Sequence, residues 1–487
     1  WKLPERNVVP WSALISGYSQ NGLGHEALKC FRQMQRDQIQ PNAVTYASVL
    51  KACGIIRSLE IGEGIAVEVR KQGLLEKDVV LGTSLVDMYA KCGDLDKARE
   101  VFEQLPVRNI VSWNALITGY VHHGLGNEAL KFFRQMQDLG VIPNVITYIC
   151  VLKACGIVGS LEIGEDIYAE VRNRGLLHKD VILDNALVDM YAKCGALAKA
   201  RHVFEQLPEK NVVTWSALIG GYAHHGHGDE ALKLFRQMRD VGVCPNYVTY
   251  VSILKACGIV GSLEIGEGIE EEVRNQGLLE KEAVLGNALM DMYSKCGALE
   301  KARKVFEQLP VKSVVSWSAL IEGYAQLGEA NMALNMYERM KAENFVPNLV
   351  TFTVLLTACS HAGLVEEGQK LFDEMRIDYH LTPTLEHYSC MIDLFGRAGH
   401  FDKAKSFLNK VSHLDDDLPL LLTLMGACRK WRNVKLGNWA FEQLVRLDET
   451  CSAAYVCMEN IYASAGMQVE AHEIEFLRAK NKAWNTE

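Results

Sequence analysis

The stretch V-V-P-W-S-A-L-I-S-G-Y-S-Q-N-G-L-G-H-E-A-L-K-C-F-R-Q-M-Q-R-D-Q-I-Q-P-N, residues 8–42, decides the fold. Trp11, Leu14, Ile15 and Tyr18 follow the i, i+3, i+4, i+7 spacing of an amphipathic helix. Gly22 and Gly24 predict a turn, after which Ala27, Leu28, Phe31 and Met34 form a second apolar stripe closed by Pro41-Asn42. Two helices joined by a short turn make a hairpin.

A second hairpin opens near Val44, reads V-L-K-A-C-G, is expected to turn at Gly54 and ends by Asp78. A third reads S-L-V-D-M-Y-A-K-C-G, turns at Gly93 and finishes with Val101, Phe102 and Leu105-Pro106. The three measure 35, 36 and 31 residues, a period of 102. Trp11, Trp113, Trp215 and Trp317 keep that step, as do Pro41, Pro143, Pro245 and Pro347, and Pro4, Pro106, Pro208 and Pro310. Proline breaks helices, so the helical segments run between these ladders. One hairpin cannot bury its own apolar face, so the period predicts a stacked array with a long groove.

The copies span residues 8–109, 110–211, 212–313 and 314–417, the last slightly longer. Leu3-Pro4-Glu5-Arg6-Asn7 matches the ends of two internal copies, so residues 1–7 are expected to be the tail of an earlier repeat, with any targeting peptide outside this sequence.

Composition narrows the class. The longest uncharged apolar runs, such as Leu418 to Cys428, fall well short of the roughly 20 residues of a transmembrane helix, so no membrane partner is expected. A formal charge of -9 argues against a generally basic nucleic-acid coat, and polyanion binding would need a local stripe. Cys53, Cys155, Cys257 and Cys359 recur with the period, as do Cys92, Cys194 and Cys296. No pair has C-x-x-C spacing, so these are expected to be small structural thiols in a reducing compartment. His122-His123 and His224-His225 with His227 fall in an interhelical turn without a cysteine or carboxylate to complete a metal set, so no metal site is expected.

The alternating lengths, with W-S-A-L-I-S-G-Y, V-L-K-A-C-G and L-V-D-M-Y-A-K-C-G, resemble the P, L and S motifs of plant pentatricopeptide repeat proteins of the PLS class. That resemblance implies an all-α, right-handed superhelical solenoid of stacked helical hairpins, tetratricopeptide-like, with twelve motifs over residues 8–417. Tetratricopeptide repeats themselves keep a uniform step of about 34 residues and do not alternate. Within residues 418–487, Leu424 to Arg429 and Ala454 to Ala463 resemble two E-type motifs of RNA-editing factors, although Leu421 replaces an expected aromatic and Gln468 an expected tryptophan.

The resemblance also implies a site. Family members read one base with residue 5 and the last residue of a hairpin, here Ser12 with Asn42, Thr83 with Asn109, Asn114 with Asn144, and Asn185 with Asn211. The remaining pairs are Ser216 with Asn246, Asn287 with Ser313, Ser318 with Asn348, and Ser389 with Asp417. Helix capping would explain Asn42 and Asn144 equally well, but not Ser12 or Asn114, which sit inside a first turn. Val9, Val111, Val213 and Val315 resemble the aliphatic residue that sandwiches bases, with core packing as the alternative. Lys91, Lys193, Lys295 and Arg397, with Lys51, Lys153 and Lys255, are candidate phosphate contacts; a helix-end role before a Gly stop explains the first group equally well.

The implied function is sequence-specific binding of single-stranded organelle RNA, in a mitochondrion or alternatively a chloroplast, to guide C-to-U editing. The alternatives are a transcript stability or processing factor and a protein-interaction scaffold. Neither H-x-E nor C-x-x-C of a cytidine deaminase occurs, nor any Ser-His-Asp, P-loop or Rossmann signature. No enzyme activity, cofactor or small-molecule substrate is therefore expected. A deaminase-bearing partner docked through the E-type motifs, or a further C-terminal domain, would supply the chemistry.

Overall fold

The computed structural model describes residues 7–75, 78–411 and 418–481. Most of the expected N-terminal tail, and Asp417, lie outside the described residues. Among those described, every regular element is a helix, arranged as an all-α solenoid of hairpins. The chain divides into two units, Trp1–Thr249 and Tyr250–Glu487.

In the first unit the leading helices of successive hairpins lie side by side: Val8–Gln20, Ala43–Ile56, Val79–Cys92, Ile110–His122, Val145–Val158, Val181–Lys193 and Val212–His224. Those between the first and the last of this row are flanked by two like neighbours and backed by their own second helices. That explains why these helices are apolar nearly all round; Tyr148, Val151, Leu152, Ala154 and Cys155 have no exposure. The second helices form an outer layer and bury one stripe, such as Ala27, Leu28, Phe31 and Met34. Their polar faces carry ion pairs between neighbouring hairpins, Lys97 with Glu63 and Lys199 with Glu165. Such exposed pairs contribute at most about 1 kcal/mol each.

The second unit repeats the scheme through Ala283–Lys295, Val314–Gln326, Leu349–Ala362 and Leu385–Arg397. Its last two pairs are Leu418–Trp431 with Val434–Leu447, and Ser452–Ser464 with Gln468–Lys480.

The tryptophan ladder joins one period to the next. Trp113, Trp215 and Trp317 each meet a phenylalanine of the preceding S hairpin nearly edge-on: Phe102 at 4.6 Å, Phe204 at 4.7 Å and Phe306 at 4.5 Å between ring centres. Aromatic pairs of this geometry add about 0.5–1.5 kcal/mol beyond the area they bury. In the second period Trp113, Leu116, Ile117 and Tyr120 are all buried, as their spacing predicts. In the first hairpin, which among the described residues has a neighbour on one side alone, Leu14 and Tyr18 stay half-buried.

Two expected turns are corrected. Helix Ala43–Ile56 runs straight through Gly54, and the chain reverses at Arg57, whose φ of 53° is left-handed. Another helix passes close to Gly54: a Cβ there would stand 3.1 Å from Lys91 Cδ and 3.5 Å from Met88 Cα. Gly24 likewise begins a helix rather than a turn, and a Cβ on it would meet the Ala52 carbonyl oxygen at 2.9 Å. Gly22, at φ 76°, makes the turn between them. The periodic cysteines are free, and burial pushes the thiols of Cys53, Cys155, Cys257 and Cys359 up to about 12, so they stay protonated at neutral pH.

Trp113→Ala should destabilise the chain by about 3–5 kcal/mol, because it empties a site 1% exposed and removes the contact with Phe102. An unchanged melting curve by circular dichroism would contradict this. Arg57→Gly should do the opposite. Later periods have Gly159, Gly261 and Gly363 at this position, and relieving a left-handed arginine is worth about 1 kcal/mol. A lower urea midpoint for the variant would refute it.

Candidate nucleic-acid interface

A leading helix needs partners for its first backbone N–H groups, and in most hairpins the last residue of the preceding one supplies a partner; Glu282, before Ala283–Lys295, does not. Asn42 Oδ1 accepts from Thr45 N–H at 2.9 Å, Asn144 Oδ1 from Thr147 N–H at 3.0 Å, Asn246 Oδ1 from Thr249 N–H at 2.9 Å and Asn348 Oδ1 from Thr351 N–H at 3.0 Å. A backbone N–H can only donate. The amide oxygen must therefore face the helix, and the NH2 group points away from it.

The fold carries the fifth residue of each P hairpin to that cap. Ser12 Oγ lies 3.3 Å from Asn42 Oδ1, Asn114 Nδ2 donates to Asn144 Oδ1 at 3.1 Å, and Ser216 Oγ lies 3.4 Å from Asn246 Oδ1. Ser318 reaches Asn348 through a shared partner, the Thr351 hydroxyl, 2.8 Å from Ser318 Oγ and 3.0 Å from Asn348 Oδ1. These fifth residues are buried, not solvated helix starts. Their polarity inside a first turn is accommodated by these bonds. Ser12 and Ser216 have one hydroxyl proton each, and the carbonyls of Val8 and Val212, at 2.9 Å and 2.7 Å, are nearer acceptors for it than the cap oxygens.

The S hairpins are built differently. Asn109 Oδ1 accepts from Val111 and Ser112 N–H, Asn211 Oδ1 from Val213 and Thr214 N–H, and Ser313 Oγ from Ser316 N–H. Yet among the described residues no hydrogen bond joins Thr83 to Asn109, Asn185 to Asn211 or Asn287 to Ser313. Thr83 donates instead to the Val79 carbonyl at 2.8 Å. The side-chain oxygens of Asn185 and Asn287 are buried without a protein partner. Ser389 Oγ lies 3.3 Å from Thr423 Oγ1, and its expected mate Asp417 is outside the described residues.

Val9, Val111, Val213 and Val315 are 51–67% exposed, which removes the core-packing alternative. They belong to a larger set than sequence reasoning assigned. Val80, Ile182 and Val284 in the S hairpins, with Val44, Ile146 and Val350 in the L hairpins, occupy the same second position and are as open to solvent. The signal was present, since every one of these hairpins has Val or Ile there. Together they make a regular file of exposed aliphatic side chains.

The candidate cations split. Lys91, Lys193, Lys295 and Arg397 each bond an aspartate one turn earlier, Asp87, Asp189, Asp291 and Asp393, at 2.6–2.8 Å. They are therefore a file of exposed ion pairs rather than bare charges, and a phosphate would compete against a contact worth about 0–1 kcal/mol. Lys51 and Lys153 are exposed and form no ion pair among the described residues, and Lys255 is half-buried.

Among the described residues no group of His, Cys, Asp and Glu could hold a metal ion. One histidine of each pair is tied down instead. His123 Nε2 lies 2.9 Å from the Ala90 carbonyl oxygen and His225 Nε2 3.0 Å from that of Ala192, where each ring satisfies a carbonyl near the end of the preceding leading helix.

The profile of the PPR repeat family matches residues 6–54, 108–156, 210–258 and 312–361, and that of the PPR repeat matches 83–110, 185–212, 287–314, 350–378 and 386–413. A mitochondrial pentatricopeptide repeat-containing protein of Arabidopsis thaliana is 37% identical over 473 residues, 97% of this chain and 68% of that protein. A second mitochondrial relative from the same plant is 37% identical over 96% of this chain and 83% of its own length. A chloroplastic relative is 36% identical over 96% of this chain and 57% of its own. Among solved structures, the maize pentatricopeptide repeat protein PPR10 aligns with a TM-score of 0.55 at 20% identity, over 98% of this chain and 75% of its own. The same protein in complex with an 18-nt psaJ RNA element aligns at 0.52 and 18% identity, over 98% of this chain and 85% of its own. At these identities the likeness establishes the shared fold.

Proposed function

The chain belongs to the pentatricopeptide repeat family of plant type, and from that premise we propose that it is a sequence-specific single-stranded RNA-binding protein of plant organelles, recognising sites for C-to-U editing. The observation that carries the reading is the recurrent meeting of a fifth residue with a capping last residue, direct in three P hairpins and through the Thr351 hydroxyl in the fourth, beside a file of exposed aliphatic second residues. A base has two apolar faces and one polar edge, and this arrangement offers something to each. RNA bound to maize PPR10 and the organelle names of the relatives support the same reading, with the mitochondrion the first choice of compartment.

The capping geometry supplies a chemical rule. A terminal Asn whose oxygen is taken by the helix presents NH2 donors, which suit the unprotonated ring nitrogen of A or C. A terminal Asp is acceptor-only and suits the imino hydrogen of G or U. A short fifth Ser or Thr leaves room for a purine, and a fifth Asn matches a pyrimidine edge. With the L hairpins, whose fifth residues are Ala47, Ile149, Val251 and Thr353, left unassigned, the site reads 5′-A-n-A-Y-n-Y-A-n-C-A-n-G-3′. The edited C follows the last base by about four nucleotides, at one base per repeat.

Deamination itself falls to a partner or to a further domain. In support of a partner docked at the E-type region, the last described helix, Gln468–Lys480, holds Val469 and Phe476 72% exposed.

Competition binding with the 12-nucleotide site should place its four variants at the last base in the order G first, and Ser389→Asn should shift the preference towards U. A paired contact of this kind discriminates by about 1–3 kcal/mol. Equal affinities for all four bases in both proteins would show that Ser389 and Asp417 do not read RNA. The purified chain should convert no C to U alone, while loss of the gene should abolish editing at one organelle site; conversion by the chain by itself would sink the partner reading.

A further inference from the structure

Asn114 with Asn144 and Asn185 with Asn211 are the same two residues at the same two positions, and a threonine stands third in the next hairpin both times, Thr147 and Thr214. By residue identity the two sites are equivalent. Their hydrogen bonds are not. Thr147 Oγ1 donates to Asn114 Oδ1 at 2.7 Å while accepting from the Asn144 backbone N–H at 3.2 Å. Asn114 in turn donates through Nδ2 to Asn144 Oδ1, which the Thr147 N–H already fixes in place. Both ends of the Asn114 amide are therefore held. Thr214 turns its hydroxyl back to the carbonyl of Asn211, at 2.8 Å, and Asn185 Oδ1 is left buried and unpartnered. Asn287 repeats the second pattern, with the Ser316 hydroxyl on the Ser313 carbonyl at 2.8 Å.

We propose that Thr147 is a positioning residue that sets how stringently its site separates C from U, and that the Asn185–Asn211 site, lacking such a hold, accepts both pyrimidines. The proposal rests on the base-reading function above. C presents an N4 donor beside the N3 acceptor, and U an O4 acceptor beside the N3–H donor. The two edges are mirror patterns, and an Asn amide matches one or the other by turning half a revolution. An amide held at both ends offers one pattern. An amide held at neither can turn to suit the base.

The same logic favours C at the held site, because Asn144 keeps its NH2 group outward towards the ring nitrogen. At the other site Asn211 gives the same preference, but the free Asn185 amide can offset it for U. Thr45, Thr249 and Thr351 stand where Thr147 does, 2.6 Å, 2.7 Å and 2.8 Å from the hydroxyls of Ser12, Ser216 and Ser318, so the hold belongs to the junction from a P to an L hairpin.

The test uses the full chain and the 12-nucleotide site, with each base in turn at the fourth nucleotide, which Asn114 and Asn144 read, or at the sixth, which Asn185 and Asn211 read. The C-over-U affinity ratio should be about tenfold larger at the fourth nucleotide, the worth of one ordinary hydrogen bond. Thr147→Val should lower the ratio at the fourth to that at the sixth, and Thr147→Ser should keep it. Thr214→Val, which removes an equivalent hydroxyl from the other site, should change neither ratio. The unaltered sixth-nucleotide ratio reports that the Thr147 variants are folded, and the wild-type comparison needs no variant. Equal ratios in the wild type, or an undiminished ratio in Thr147→Val, would overturn the proposal while leaving base reading intact. If neither nucleotide separates pyrimidine from purine, base reading itself fails.

Discussion

The bond from a helix's first N–H groups to the last side chain of the preceding hairpin is the constraint on which the array depends. A helix start cannot be left unpaired at the crowded junction between hairpins without losing about 1 kcal/mol. Asn42, Asn109, Asn144, Asn211 and Asn348 meet that demand, and in doing so fix where one hairpin ends and the next begins. The same bond fixes which way each amide faces. Structural capping and the base recognition proposed for these residues are compatible, because the cap gives the amide a defined donor side.

Packing follows from the same junction. Once the leading helix is anchored at its start, most of its remaining length lies against like helices, and its first turn reaches the surface of the stack. There the second residue projects outward while the fifth turns in towards the cap, which is why Val111 is exposed and Asn114, one helical turn on, is buried. The outer helices supply the counterweight, with acidic and basic side chains paired across hairpins as in Lys199 with Glu165.

Most of the fold was legible because proline and the apolar stripes recur in register, and helices with one or several buried faces leave that trace. Glycine was the weak point. It serves two physical ends, a left-handed turn and the close passage of another helix, and residue identity does not distinguish Gly22 from Gly54. At the site, the pairing of Lys91 with Asp87 could have been found from the i, i+4 spacing, and the exposed second residues from the Val or Ile that recurs at that position in all but one of the twelve hairpins. The difference between Asn114 and Asn185 could not. It lies in which way a threonine hydroxyl turns, and Thr147 and Thr214 are the same letter in the same place.

The repeated edge-on contact of Phe102 with Trp113, Phe204 with Trp215 and Phe306 with Trp317 bears on how such an array changes over generations. Unequal crossing-over between two copies removes or inserts one whole period, and the new seam joins a phenylalanine to a tryptophan as every old seam did. The natural unit of inheritance is therefore the triplet of hairpins, not the single hairpin. A lineage can lengthen or shorten the array in jumps of three without passing through a misfolded ancestor, whereas loss of one hairpin would set unlike surfaces against each other.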